Sequence, residues 1–440
     1  MIRLWQFTDL HLCVRENEEL QFHPGHTALE QSEEIIDACL AAFLAEPDCD
    51  ILLLSGDLTQ SGHPDEHKHM IRKIDAVQAA GKRVYVITAS HDYRTITKEN
   101  SHLLREMYAP YGISESIAKY EDGLAFVVQL APGLRLLCIN DHVREPVWLD
   151  WAAEQVRQAR AAGEHIFGMA HLPGLPPSPI YPIISAKSML TGYEAVAHTF
   201  ADAGLRFMIT GHSHMHNIAP ITSPNGKPYW DINTSALVGW PGKFRQLEFS
   251  ADSVSITSRE IPHVAAFGES STRDFLQGHF DSVLTNLFDG LDHDYDLFLR
   301  SVRVGVNPSG ILKATWLLRP LGRKLARMTL GGLGRLLCCR RKIPKEVRGR
   351  LLRDFLQEVM RNLYAGQEPY SAQTGEGQAM LAVGKRLKFL GKKIGVTDFP
   401  AFLLSIVYDD VPNDEVVIPL ERVDTSTQRC SFGEFPAMLR

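Results

Sequence analysis

Asp9 and His11 stand two positions apart in Thr8-Asp9-Leu10-His11. Further along come Gly56-Asp57, Ser90-His91-Asp92, an isolated His171, and Gly211-His212-Ser213-His214. A mixed set of carboxylates and imidazoles suits a divalent metal such as Zn, Fe or Mn. Taken singly, each has a bland explanation. Asp9 could cap a turn, Gly56-Asp57 could be a simple strand-to-helix turn, and Ser90 could cap a helix. A lone histidine such as His171 is more often a satisfied buried side chain than a ligand. Their shared context argues for chemistry. Each group follows a short apolar run: residues 2–7, 51–54, 84–87, 166–169 and 207–209. Such runs read as buried strands. Sheets of this kind bind ligands beyond the carboxyl ends of their strands.

The elements that must hold these residues alternate along the chain. Residues 28–45, 67–80 and 147–162 carry apolar side chains at helical spacing. Residues 124–130 and 134–139 flank Ala131-Pro132-Gly133 and read as a hairpin. Residues 246–250 and 253–258 read as another. A mixed sheet flanked by helices follows, hence an α/β layered domain. Residues 262–273 lack periodicity and form the expected boundary. Beyond them the pattern is mainly helical: 275–287, 295–303, 345–364 and 377–390. Residues 402–407 and 416–419 are expected to form a small late strand pair. The expected organisation is a domain over 1–262 and a mainly α-helical accessory domain over 274–440.

The motifs, in this order, resemble the calcineurin-like metallophosphoesterases, and within them the class III cyclic-nucleotide phosphodiesterase branch. That pattern is D-x-H, G-D, G-N-H-D/E, a lone H, then G-H-x-H. The resemblance spans roughly residues 1–262. Asn140-Asp141 with Trp148-Leu149 resembles its strand-then-helix segment, and Val238-Gly239 with Phe244-Arg245 and a following strand resembles its closing sheet edge. The resemblance implies two divalent metal ions (Fe, Mn or Zn). One would be held by Asp9, His11, Asp57 and His214, the other by Asp57, Ser90, His171 and His212. It implies a metal-bridging hydroxide that attacks phosphorus, with His91 protonating the leaving oxygen. Asp92 would fix the His91 tautomer and hold its charge. One position departs: Ser90 stands where the family has Asn, which leaves the second site weaker, completed by water, or shifted. The implied activity is hydrolysis of a phosphodiester, a cyclic nucleotide or another small diester. A phosphomonoesterase, a nuclease and a non-catalytic metal-binding scaffold are the alternatives.

Other residues point less clearly. His23, His26, His63, His67 and His69 could line a pocket, though solvated loop histidines are the simpler reading. His216 could reach a substrate phosphate. Tyr93 and Arg94 could shape the pocket, although Arg94 could equally be an exposed loop charge.

The chain has 440 residues, 45% hydrophobic and 22% charged, with a formal net charge of −6. That composition fits a soluble globular protein of two or three domains. Seven scattered cysteines form no CxxC pattern and suggest a reducing compartment. The first strand begins at residue 2 with no leader before it, so a cytoplasmic location is expected. Charge is uneven. Residues 313–353 hold thirteen Lys or Arg and one acid, Glu346, which leaves 33 basic and 51 acidic residues elsewhere. Leu318, Leu321, Leu325 and Met328, with Arg319, Arg323 and Arg327 on another face, suggest a basic amphipathic helix from Pro320 to Gly331-Gly332. Packing on the acidic remainder is its simplest use. An anionic membrane surface is the next. Nucleic acid comes last, because Trp316 is the segment's only aromatic.

Overall fold

The computed structural model describes residues 2–14, 25–95, 100–140, 144–293, 323, 324 and 326–420. The chain opens with β1 (Ile2–Phe7), α1 (Ser32–Ala45), β2 (Ile51–Ser55), α2 (Pro64–Ala79) and β3 (Arg83–Ile87). Then come α3 (Ser101–Met107), β4 (Ala118–Tyr120), β5 (Ala125–Ala131), β6 (Leu134–Ile139), α4 (Leu149–Ala161) and β7 (His165–Met169). A short α5 (Tyr181–Ile184) leads to α6 (Tyr193–Ala203), β8 (Phe207–Thr210), β9 (Asn217–Thr222), β10 (Pro228–Asn233), β11 (Lys243–Phe249) and β12 (Ser253–Glu260). The remainder holds α7 (Thr272–His293), α8 (Leu330–Leu336), α9 (Leu352–Ala365), α10 (Gly375–Lys393), α11 (Phe399–Ser405) and β13 (Glu415–Pro419).

The strands form two sheets. One runs β13-β12-β11-β1-β2-β3 and the other β4-β5-β6-β7-β8-β10-β9. Their inner faces share one core containing Leu4, Leu53, Phe167, Phe207 and Leu247. The outer face of the first sheet buries Trp5, Phe7, Leu52 and Leu54 against α1 and α2. The outer face of the second buries Leu137 and Met208 against Trp148, Val156 and Phe200. Strands covered on both faces must be apolar at nearly every position, which is why 2–7 and 51–54 read as continuous runs. Four layers result, with helices outside and two mixed sheets inside. The α/β expectation holds, and so does the helical character of the C-terminal region.

β1, β2 and β3 are mutually parallel, and so are β6, β7 and β8. Their carboxyl ends therefore lie together at one end of each sheet. Every sequence motif follows one of these strands.

Three expectations change. Phe402 lies in α11, and residues 416–419 pair with β12, not with 402–407. The strand finds a better partner in an open sheet edge than in a short helix-forming run. The sheet edge expected at the strand after Phe244-Arg245 is taken instead by β13, which adds outside β12. Gly331 and Gly332 do not stop a helix. They lie inside α8, whose start is capped by Thr329 accepting from the Gly332 amide. A Cβ on Gly331 would meet Arg348 O at 2.8 Å, so close packing explains that glycine. Most of the expected basic helix, with Leu318, Arg319 and Leu321, lies outside the described residues, as does the expected helix at 295–303.

Candidate metal centre

The backbone is bent where the motifs lie. Among the described residues, seven non-glycine positions have positive φ, and five carry candidate ligands: Asp9 (50°), His11 (43°), Asp57 (47°), His212 (66°) and His214 (59°). The left-handed region costs an L-residue roughly 1–2 kcal/mol. Strain of this kind gathers at ligand clamps. Two glycines make room. At Gly56 (φ 90°) a Cβ would sit 2.8 Å from His171 Nδ1, and at Gly211 it would sit 2.6 Å from Asp9 Oδ2.

The side chains converge. Asp9 Oδ1 lies 3.1 Å from His214 Nε2 and 3.7 Å from His11 Nε2. His11 Nε2 and His214 Nε2 are 3.1 Å apart. Asp57 Oδ2 lies 3.1 Å from His171 Nε2, which is 3.2 Å from His212 Nδ1. Three ligand-capable groups follow: Asp9–His11–His214, Asp57–His171–His212, and His11–Asp57–His91. Asp57 belongs to two of them, so one carboxylate faces both halves of the cluster.

Hydrogen bonds hold the far side of each donor. Asp9 Oδ2 accepts from the His212 amide (2.9 Å) and the Thr8 hydroxyl (2.9 Å). Asp57 Oδ1 accepts from the His91 amide (2.8 Å). His171 Nδ1 lies 2.9 Å from the Ser55 carbonyl, so it carries the hydrogen and leaves Nε2 a bare lone pair. That lone pair faces the Asp57 carboxylate.

Such an arrangement repels itself unless a cation or protons intervene. Protonation is disfavoured. Burial pushes His11 well below its ordinary value, with the charges of His91 and His214 adding to the effect. Burial takes His212 down to about 4, with His171 second. The carboxylates go the other way. Burial alone would raise Asp9 and Asp57. The imidazoles of His171 and His214 hold Asp9 below the usual carboxylate range, and His171, His91 and His11 do the same for Asp57. Neutral imidazoles and ionised carboxylates are the metal-ready state. Asp9 Oδ1 and His11 Nδ1 are also buried without a hydrogen-bond partner among the described residues. The residues fit a pair of divalent cations.

Residues 2–216 match the family model for calcineurin-like phosphoesterases. They form a domain of that family. Its hydrolase chemistry and the clustered donors make this a centre for two divalent metal ions. The chain is similar to a dimetal phosphatase from Danio rerio at 14% identity, covering 59% of this chain and 96% of that chain, with a TM-score of 0.46. It is similar to a purple acid phosphatase from yellow lupin seeds at 14% identity, covering 59% of this chain and 51% of that chain, with a TM-score of 0.42. No curated protein sequence matches.

Ser90 is exposed, and its hydroxyl lies 3.5 Å from Asp57 Oδ1. His91 stacks edge-on against His11 with ring centroids 4.5 Å apart. Burial lowers its tendency to protonate; Asp57 opposes this and Arg94 adds to it. Asp92 does not orient His91. It turns inward and accepts from Thr59 N, Thr59 Oγ1 and Ala89 N, each at 2.9 Å, tying the loops after β2 and β3 together. Burial and the Asp57 charge push its carboxyl up to about 7, against the pull of those donors. The Gln60 carbonyl takes the expected role, 2.8 Å from His91 Nδ1. A backbone oxygen carries no side-chain signature, so the sequence could not name it. Arg94 reaches His91 Nε2 at 2.8 Å. His216 is fully buried, with Nε2 2.7 Å from Ser258 Oγ, and does not face the cluster.

One further histidine reaches the centre. His26 Nε2 lies 2.8 Å from His214 Nδ1, and its ring sits edge-on against Tyr364 of α9 and Phe280 of α7. Burial takes it down to about 3, so its ring is neutral. The Tyr364 carbonyl accepts from the His216 amide at 2.9 Å. The C-terminal helices thus close over the side of the centre that holds His214. The spacing of His26 from Asp9 and His11 gives no cue, because its partners His214, Phe280 and Tyr364 lie far along the chain.

Proposed function

We propose that this protein is a phosphodiesterase. Asp9, His11, Asp57 and His214 would hold one ion, and Asp57, His171 and His212, with Ser90 directly or through water, the other. When bound, the ions would polarise the phosphoryl oxygens and activate the attacking water. His91 is the acid for the leaving oxygen. The Gln60 carbonyl keeps a hydrogen on Nδ1, so a proton taken up at Nε2 makes an imidazolium whose charge that carbonyl supports. Arg94, now donating to His91 Nε2, finds a better acceptor in an anionic phosphate and frees Nε2 for the proton.

The observation that carries the diester reading is the open rim beside His91. Ser90 and Arg94 are exposed there, which leaves a path out for a second ester arm. A cyclic nucleotide or another small diester is the substrate class. Residues 1–262 are the proposed catalytic unit and 274–440 the accessory one, although β13 completes the first sheet. Six described cysteines are all free, which supports a reducing compartment and hence the cytoplasm. The test is turnover of bis-p-nitrophenyl phosphate against p-nitrophenyl phosphate by metal-loaded protein. A higher kcat/KM on the diester is expected. Faster monoester turnover would make it a phosphatase, and no turnover of either a scaffold.

A further inference from the structure

α10 carries an unusual exposed face. Its Ala379, Ala382, Val383, Gly384 and Gly391 are buried. Its last two turns expose Lys385, Arg386, Lys388, Phe389, Lys392 and Lys393. At about 100° per residue these six occupy an arc of roughly 160°, with Phe389 near the middle. One exposed apolar residue is ordinary on a protein surface. Phe389, 57% exposed, is not isolated in that sense: it is ringed by five cations.

A second segment lies alongside. Arg386 donates to the Cys338 carbonyl at 2.7 Å, which fixes residues 335–342 against α10. That segment contains no acid and exposes Arg335, Arg340, Arg341 and Lys342. It also exposes Leu336, at 58%. None of the nine cations forms an ion pair among the described residues. Nearby Arg350, by contrast, is paired with Glu358 and Glu376. The face therefore holds unpaired positive charge around Phe389, with Leu336 exposed on the neighbouring segment.

We propose that this face docks on an anionic lipid surface. Phosphate headgroups match the cations, and Phe389 and Leu336 reach the boundary between headgroup and acyl chain. The long lysine stems let their charges stay at headgroup level while the apolar residues sink. Nucleic acid would use the cations but leave Leu336 without a partner, since it cannot stack on a base. No helix among the described residues is long and apolar enough to cross a membrane, so the contact is peripheral. Arg335, Arg340, Arg341 and Lys342 belong to the basic segment 313–353, whereas the cations of α10 lie outside it, and the surface does not depend on the catalytic reading.

The test is co-sedimentation of the full chain with vesicles of phosphatidylcholine, with and without phosphatidylserine. Binding is expected only to the phosphatidylserine vesicles, at low salt, and is released by high salt. Lys385→Glu, Lys388→Glu and Lys392→Glu together should abolish binding and leave turnover of a soluble diester unchanged. Phe389→Ser should weaken binding on the order of tenfold. A fluorophore on Cys338, in a Cys430→Ser background, gives a readout that needs no surface variant: its emission should shift to the blue on the vesicles. No vesicle binding at low salt, or an unshifted label, would overturn the proposal. So would equal binding by the triple variant, or preference for duplex DNA over the vesicles.

Discussion

Replacing His26 with alanine should weaken one metal site and spare the other. His214 can offer Nε2 to a metal only as a neutral ring with its hydrogen on Nδ1. His26 Nε2, 2.8 Å away, accepts that hydrogen. His26→Ala removes an acceptor in a buried position. The lost bond is worth about 1 kcal/mol, and a stranded donor costs about 1–3 kcal/mol. At about 1.4 kcal/mol per tenfold, the affinity of the site containing Asp9, His11 and His214 should fall roughly 10–100-fold. The site of Asp57, His171 and His212 makes no contact with His26 and should hold within about threefold. Competition with a chromogenic chelator resolves the two steps. Thermal melting of metal-free protein reads any packing loss against Tyr364 and Phe280 separately. Equal weakening of both steps, or of neither, would refute the assignment of His26 as a support for His214 alone.

Three further outcomes are expected. His91→Ala should slow alkyl diester hydrolysis far more than aryl diester hydrolysis, because p-nitrophenolate leaves without a proton; equal losses would reduce His91 to a phosphate binder. Ser90→Asn should tighten the second metal step and raise turnover at low metal, and unchanged affinity would mean that the serine is an adapted ligand. Glu368 is buried with Oε2 unpartnered, and burial followed by the charge of Asp409 pushes its carboxyl up to about 8. The folded chain then keeps a proton that the unfolded chain releases near pH 4.5. Stability present below that value is lost as pH rises toward about 8, on the order of 5 kcal/mol. Glu368→Gln mimics the protonated form, so its advantage over the native protein in urea unfolding should grow between about pH 5 and pH 8 and then level off; a constant difference would contradict the cause given.

The chemistry was legible because it lies at strand ends. The runs at 2–7, 51–54 and 207–209 are buried on both faces, so their pattern survives in the sequence, and Asp9, Asp57, His212 and His214 are carried to one end by parallel pairing. The hairpin of β9 and β10 was missed because Pro220 and Pro228 interrupt its strands, although Asn225-Gly226 between them is a turn signal. Asp92 was misread because adjacency in sequence does not decide direction: residues on successive loop positions point apart, and Asp92 points into the core. The contacts of His26 with Tyr364 and Phe280 join segments far apart in the chain, and no local pattern encodes them. The exposed face of α10 was hidden for another reason. Its sequence reads as an ordinary amphipathic helix until its neighbour, residues 335–342, is placed beside it.

The central claim is that one carboxylate, Asp57, serves two metal ions. It lies in two of the three donor groups, with His171 and His212 on one side and His11 and His91 on the other. Elemental analysis after dialysis against excess manganese tests this most directly. The account predicts two ions per native chain and fewer than one in Asp57→Asn, since neither group then keeps a full charge balance. Two ions retained by Asp57→Asn would contradict it.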